Sequence, residues 1–189
     1  MTRDDKARDP STLLDLRPMM PVAMRIALRT GELMDVQYGL ASAEDLKSLS
    51  GLELLRRMIA GLVPGPTIAR TLGFRLTEVE EGLAIFEMDV GPHLLNPLGS
   101  IHGGVALTLI DSAAGCAVHT MLSAGIGYTT VETKVNFTRA IRPDGGTIRA
   151  EGRVVTRGRQ IATAEARVLS GDGKILAHGT STLMILASR

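Results

Sequence analysis

The side chains that could do chemistry gather in the sixteen residues from Asn96 to Asp111. Asn96 opens the stretch, His102-Gly103-Gly104 sits in its middle and Asp111 closes it. Asp111 stands inside an apolar run that starts at Val105. A carboxylate is rarely buried without a partner, and holding its charge there is unfavourable unless something compensates. It could act as a general base or as a nucleophile. Gly103 and Gly104 open a run with no helix breaker, and the start of a helix presents free N–H groups and the positive end of the dipole. Paired glycines let a ligand approach that backbone closely, which suits an oxyanion or a polarised carbonyl. Asn96 could orient water or a carboxylate.

Spacing limits how these groups cooperate. Asp111 lies eight residues past Gly103, or ~12 Å along a helix rising ~1.5 Å per residue. One carbonyl cannot touch both groups on a single helix. If both act together, the amide tip of one helix must meet the carboxylate of another, as in a two-fold dimer with two equivalent sites.

The remaining elements must hold this stretch in place. The spacing predicts a helix from about Gly103 to about Met121, apolar on every side and therefore buried. Ser50 to Glu53 matches a capping box ahead of Leu52, Leu55, Met58, Ile59 and Leu62. Pro64-Gly65-Pro66 stops that helix, and a short helical turn follows from Pro66 to Leu72. Phe74–Val79 and Ala84–Val90 read as a hairpin. Past the long helix, Tyr128–Phe137 alternates, with Thr129, Val131, Thr133, Val135 and Phe137 on one face. Such period-two alternation indicates an antiparallel, half-solvated strand. Thr147–Thr156, Gln160–Leu169 and Ile175–Leu186 complete the set, and Gly179 reads as a bulge within the last strand. Helix, two strands, a long helix and four strands imply an α+β fold whose sheet curls about the long helix. Residues 1–47 read as an N-terminal extension with helical fragments around Val22–Met34, and 48–189 as the domain.

Composition narrows the function. The chain has 189 residues, 44% hydrophobic and 22% charged, with a net charge of +1. That balance gives no general pull toward nucleic acid, and the absence of Trp argues against base stacking. The single Cys116 permits no internal disulfide, consistent with a reducing compartment. Residues 18–28 are too short and too charged to span a bilayer and lack a signal-peptide core, so a cytoplasmic location and no membrane contact are expected. His93, His102, His119 and His178 show no metal-ligand spacing with Cys116.

Asn96, His102-Gly103-Gly104 and Asp111, the strand end Val135–Arg139 and the corner Arg157-Gly158-Arg159 together resemble the PaaI-type hotdog-fold acyl-CoA thioesterases. The resemblance covers about residues 51–186. It implies a hotdog fold: a long central helix wrapped by a curved antiparallel β-sheet, in a homodimer or homotetramer. By position it makes Asp111 the catalytic carboxylate. Gly103 becomes the amide that polarises the thioester carbonyl, and Asn96 a positioning group. His102 either shapes the oxyanion site or is structural. Thr130 is the assisting hydroxyl, with Thr129 one register away. Arg139, Arg157 and Arg159, with Gly158 at the corner, become candidates for coenzyme A phosphates, since a planar guanidinium suits phosphate. Arg142 lies in the same charged neighbourhood, and Ala140-Ile141 replaces the family's usual Pro. The expected substrate is an acyl-CoA, with no metal and no redox cofactor. A hotdog enoyl-CoA hydratase or dehydratase using His102 with Asp111, and a non-catalytic acyl-CoA-binding module, are the alternatives.

Overall fold

The computed structural model describes residues 37–186. The expected helical fragments around Val22–Met34 lie outside those residues, as does most of the 1–47 extension. Among the described residues no helix is long and apolar enough to cross a membrane.

Among the described residues three short helices come first: α1 (Ala43–Ser48), α2 (Gly51–Ile59) and α3 (Thr67–Leu72). The Ser50 hydroxyl caps α2 by accepting from Glu53 N at 3.3 Å. Glu53 does not complete the reciprocal half of the box. Its carboxylate takes Arg57 Nε at 3.0 Å, one turn along. The strands are β1 (Phe74–Glu80), β2 (Leu83–Asp89), β3 (Gly127–Phe137), β4 (Thr147–Arg157), β5 (Ile161–Leu169) and β6 (Ile175–Leu186). The long helix α4 (Gly103–His119) separates β2 from β3. All strand pairs are antiparallel, in the order β1-β2-β4-β5-β6-β3. The α+β reading holds, with α4 packed against β2 through β6.

Small residues let α4 sit close to the sheet. Ala113, Ala114 and Ala117 of the helix face Ala150, Ala162, Ala164, Ala166 and Ala177 of the strands in one buried core. Gly152 on β4 is required there, because a Cβ would fall 2.2 Å from the Ala113 carbonyl oxygen. Gly179 is not a bulge. It pairs regularly with Val135 and Ala166, and a Cβ on it would fall 2.2 Å from the Lys134 carbonyl oxygen of β3 and 3.2 Å from Ile110 Cγ2 of α4. Glycine is required there chiefly by the close approach of the β3 backbone, and it also leaves room for Ile110 of the helix.

Two further expectations are corrected. A bulge lies in β3, where Thr130 pairs with Leu183 and Glu132 with Thr182, leaving Val131 extra. An extra residue shifts the pleat by one, so Thr130 and Thr133 face the same way and strict alternation fails. Nor is α4 buried all round. Gly104, Thr108, Asp111 and Ser112 are half-exposed and Leu107 is 41% exposed, an open stripe at three- and four-residue spacing.

Candidate active site

The N-terminus of α4 is built by its own loop. His102 is extended and caps the helix, its Nδ1 accepting from Gly104 N at 2.9 Å. Val105 N donates to the His102 carbonyl at 2.9 Å. The first amide, Gly103 N–H, has no acceptor among the described residues. With Nδ1 occupied, His102 has only Nε2 left to meet a ligand. Phe137 fills the space above Gly103, where a Cβ would meet the ring at 3.2 Å.

Asn96 organises the loop before the helix. Its Oδ1 accepts from Leu98 N at 2.9 Å and Ser100 N at 3.3 Å, and its Nδ2 donates to Ser100 Oγ at 2.8 Å. Gly99 makes the turn with φ 83°, a conformation that favours glycine. One Nδ2 proton of Asn96 remains to offer. Asn96, Gly103, Phe137 and Arg139 line one cavity of about 310 Å³.

Asp111 lies two turns along α4 and does not line that cavity. It is half-buried. Its Oδ1 accepts from Thr130 Oγ1 at 2.9 Å and from Thr133 Oγ1 at 3.3 Å. Thr130, not Thr129, is therefore the strand hydroxyl that meets the carboxylate. Among the described residues Oδ2 has no donor, so the two oxygens are unequal: one held, one without a partner. Sequence reasoning missed Thr133, because strict alternation set it on the face opposite Thr130.

Two groups near Asp111 are held protonated by burial. Burial pushes the Cys116 thiol up to about 12, against the opposing hydrogen bond with Tyr128 and with help from the Asp111 charge. A thiol held there stays protonated at neutral pH and is a poor nucleophile. Tyr128 is likewise raised well above the usual phenol value, chiefly by burial, then by Cys116 and Asp111. Its hydroxyl packs where a Gly115 Cβ would stand, 2.8 Å away.

The arginines do not form one cluster within the chain. Phe137, just ahead of Arg139, pairs with Ala177 at the start of β6. Arg157 pairs with Ala162, and Ile161 with Met184 near the end of β6. The Arg157-Gly158-Arg159 corner therefore caps the opposite end of the sheet from Arg139. Among the described residues none of these three arginines meets a carboxylate, whereas Arg142 is tied to Asp144 by bonds of 3.0 and 3.2 Å. That pair holds the Asp144 carboxyl below its ordinary value.

Comparison with known proteins agrees with this architecture. Residues 98–177 match the family model described as the thioesterase superfamily. The chain is 31% identical to the proofreading thioesterase EntH of Klebsiella pneumoniae over 108 residues, 57% of this chain and 77% of that protein. It is 28% identical to the acyl-coenzyme A thioesterase PaaI of Escherichia coli, over 58% of this chain and 75% of that protein. Among solved structures, a phenylacetic acid degradation-related protein of Ralstonia eutropha superposes with a TM-score of 0.63 at 28% identity, covering 69% of this chain and 98% of that one. With a hotdog fold, a helix-tip amide over a cavity and a carboxylate held by strand hydroxyls, the chain belongs to the thioesterase superfamily.

Proposed function

We propose that this protein hydrolyses an acyl-CoA thioester to the free acid and coenzyme A, at a site shared by two copies of the chain. The observation that carries this reading is the asymmetry of Asp111: Oδ1 held by Thr130 and Thr133, Oδ2 free. In the general-base route Oδ2 takes a proton from water while the water oxygen adds to the thioester carbonyl. The resulting oxyanion is stabilised by the partner subunit's Gly103 amide at the helix tip. The C–S bond then breaks, and the coenzyme A thiolate recovers the proton from Asp111. In the nucleophilic route Oδ2 adds directly, expels the thiolate and leaves an anhydride that water cleaves. When water opens that anhydride at the Asp111 carbonyl carbon, a single turnover in ¹⁸O-water leaves the label on Asp111 and an unlabelled Asp111 oxygen in the product, whereas the general-base route puts the label in the product acid.

Two features support the pairing of copies. The edge strand β3 is eleven residues long, and it carries Val131 at 54% and Phe137 at 61% exposure. Edges of this kind invite a further strand. The half-exposed stripe of α4 bears Asp111 on the same side. An antiparallel two-fold arrangement of α4 helices also closes the ~12 Å gap between amide and carboxylate on one helix. Arg139, beside Gly103 in the cavity, is the proposed phosphate contact. Arg157 and Arg159 could reach the same coenzyme A only from the other copy.

The test is thiol release from a panel of acyl-CoAs by the wild type and Asp111→Asn. Asp111→Asn is expected to lower kcat by about 10³-fold or more while leaving the oligomer intact, as loss of an essential base or nucleophile does. Equal rates would remove Asp111 from the reaction. Release from no acyl-CoA by the wild type would favour a binding module, and hydration of an enoyl-CoA without release would favour a hydratase.

A further inference from the structure

The β3 bulge places a second hydroxyl pair behind the carboxylate. Thr133 and Ser181 are directly opposite each other in the β3–β6 ladder, with their hydroxyls 2.7 Å apart. Ser181 is 1% exposed, one of few polar residues in the core. Its Oγ also lies 3.1 Å from the Glu132 carbonyl, to which it can donate. Thr133 Oγ1 in turn reaches Asp111 Oδ1 at 3.3 Å. Without the extra Val131, Thr133 would point away from the helix.

Proton counting gives this group two arrangements. Each hydroxyl has one proton. When Ser181 donates to Thr133, Thr133 is free to donate to Asp111, which then holds two hydrogen bonds on Oδ1. When Ser181 donates to Glu132 O, Thr133 donates to Ser181 and Asp111 keeps Thr130 alone. A charged carboxylate favours the first arrangement, because bonds to an ionised acceptor are about twice as strong as neutral ones.

We infer that Thr133 and Ser181 are positioning residues for Asp111, and that the Val131 bulge exists in β3 to bring them behind it. This rests on the hydrolytic reading above and adds to it how the carboxylate is aimed. A carboxyl group turns readily about its broad terminal torsion. Two hydroxyls gripping Oδ1 from separate points on β3 fix that torsion and leave Oδ2 as the reacting oxygen. Ser181 makes no hydrogen bond to Asp111 or, among the described residues, to any group outside the sheet. It acts only by orienting the Thr133 proton.

The alternative is that Ser181 merely satisfies the carbonyl that the bulge frees. A double-variant cycle on steady-state thiol release, with melting temperature measured beside it, tells these apart. Thr133→Val is expected to lower kcat about tenfold, the size of one hydrogen bond to a charged group, with KM unchanged. Thr133→Ser restores kcat. Ser181→Ala lowers kcat in the same direction by less, and Thr133→Val with Ser181→Ala is no slower than Thr133→Val alone, as for residues acting through one another. Multiplying losses in the double variant would overturn the inference. So would a Ser181→Ala protein with a lower Tm but wild-type kcat, or a Thr133→Val protein changed only in KM. Normal hydrolysis by Asp111→Asn would remove Asp111 from the reaction and overturn this inference with it, whereas a wild type that releases thiol from no acyl-CoA would overturn the hydrolytic reading itself.

Discussion

Asp111 is a carboxylate with one occupied and one free oxygen, and its surroundings keep competing groups silent. Cys116 is held as a thiol. His119, two turns on, packs its ring 5.4 Å from that of Tyr128, and burial lowers its pKa. That shift has a consequence for stability. The unfolded chain protonates this histidine near its ordinary value, while the folded chain resists until lower pH. Below the ordinary value the unfolded state therefore binds more protons, and stability falls with pH. The contribution is fully present above about pH 6.5 and is lost as pH drops toward the lower folded value. Melting temperatures between pH 7.5 and 5 are expected to fall less steeply in His119→Gln than in the wild type. Parallel slopes would show that His119 titrates alike in both states. At this scale the sequence was informative about Asp111, because an acid in an apolar run is conspicuous. It was silent about Thr133 and Ser181. Threonine and serine in strands are ordinary, and only the backbone bulge gives these two their direction.

Among the elements, α4 and the sheet beneath it fix the site. The helix begins where His102 caps it and rests on β4 at Gly152. Gly152→Ala drives a methyl group toward the Ala113 carbonyl, 2.2 Å from an ideal Cβ. Backbone on both sides prevents easy relief, so a loss of about 1–3 kcal/mol is expected from overpacking. Denaturant unfolding measures it; an unchanged midpoint would mean that helix and sheet are less closely seated than described. Helix and strand identities were readable from periodicity, since long apolar runs and alternating strands leave clear patterns. The bulge at Val131 was not, because the surrounding Thr, Val and Glu residues fit either register. The exposure of one α4 stripe was also hidden. A helix apolar on all sides reads as buried, and the pattern does not say whether its own chain or a second copy does the burying.

For the whole molecule, the account depends on two copies completing each other. Within one chain the Gly103 cavity excludes Asp111, and Arg139 stands at the other end of the sheet from Arg157 and Arg159. The separation of amide and acid within one chain was legible from spacing alone, since eight helical residues lie between them. The distribution of the arginines was not, because it follows from strand order, and β3 crosses to the far edge only once α4 has been laid down.

Complementation between two inactive variants tests this sharing most directly. Gly103→Pro removes the helix-tip N–H at a first-turn position whose backbone suits proline, after a residue already in extended backbone, and its ring displaces the exposed Phe137 ring that a Cβ would meet at 3.2 Å. Asp111→Asn removes the acid. Each variant alone is expected to be inactive. Co-refolded in equal amounts, half of the dimers are mixed and each mixed dimer has one intact site, so about a quarter of wild-type thiol release returns. No recovery, with mixed dimers demonstrated by differential tagging, would show that amide and carboxylate do not act across two copies.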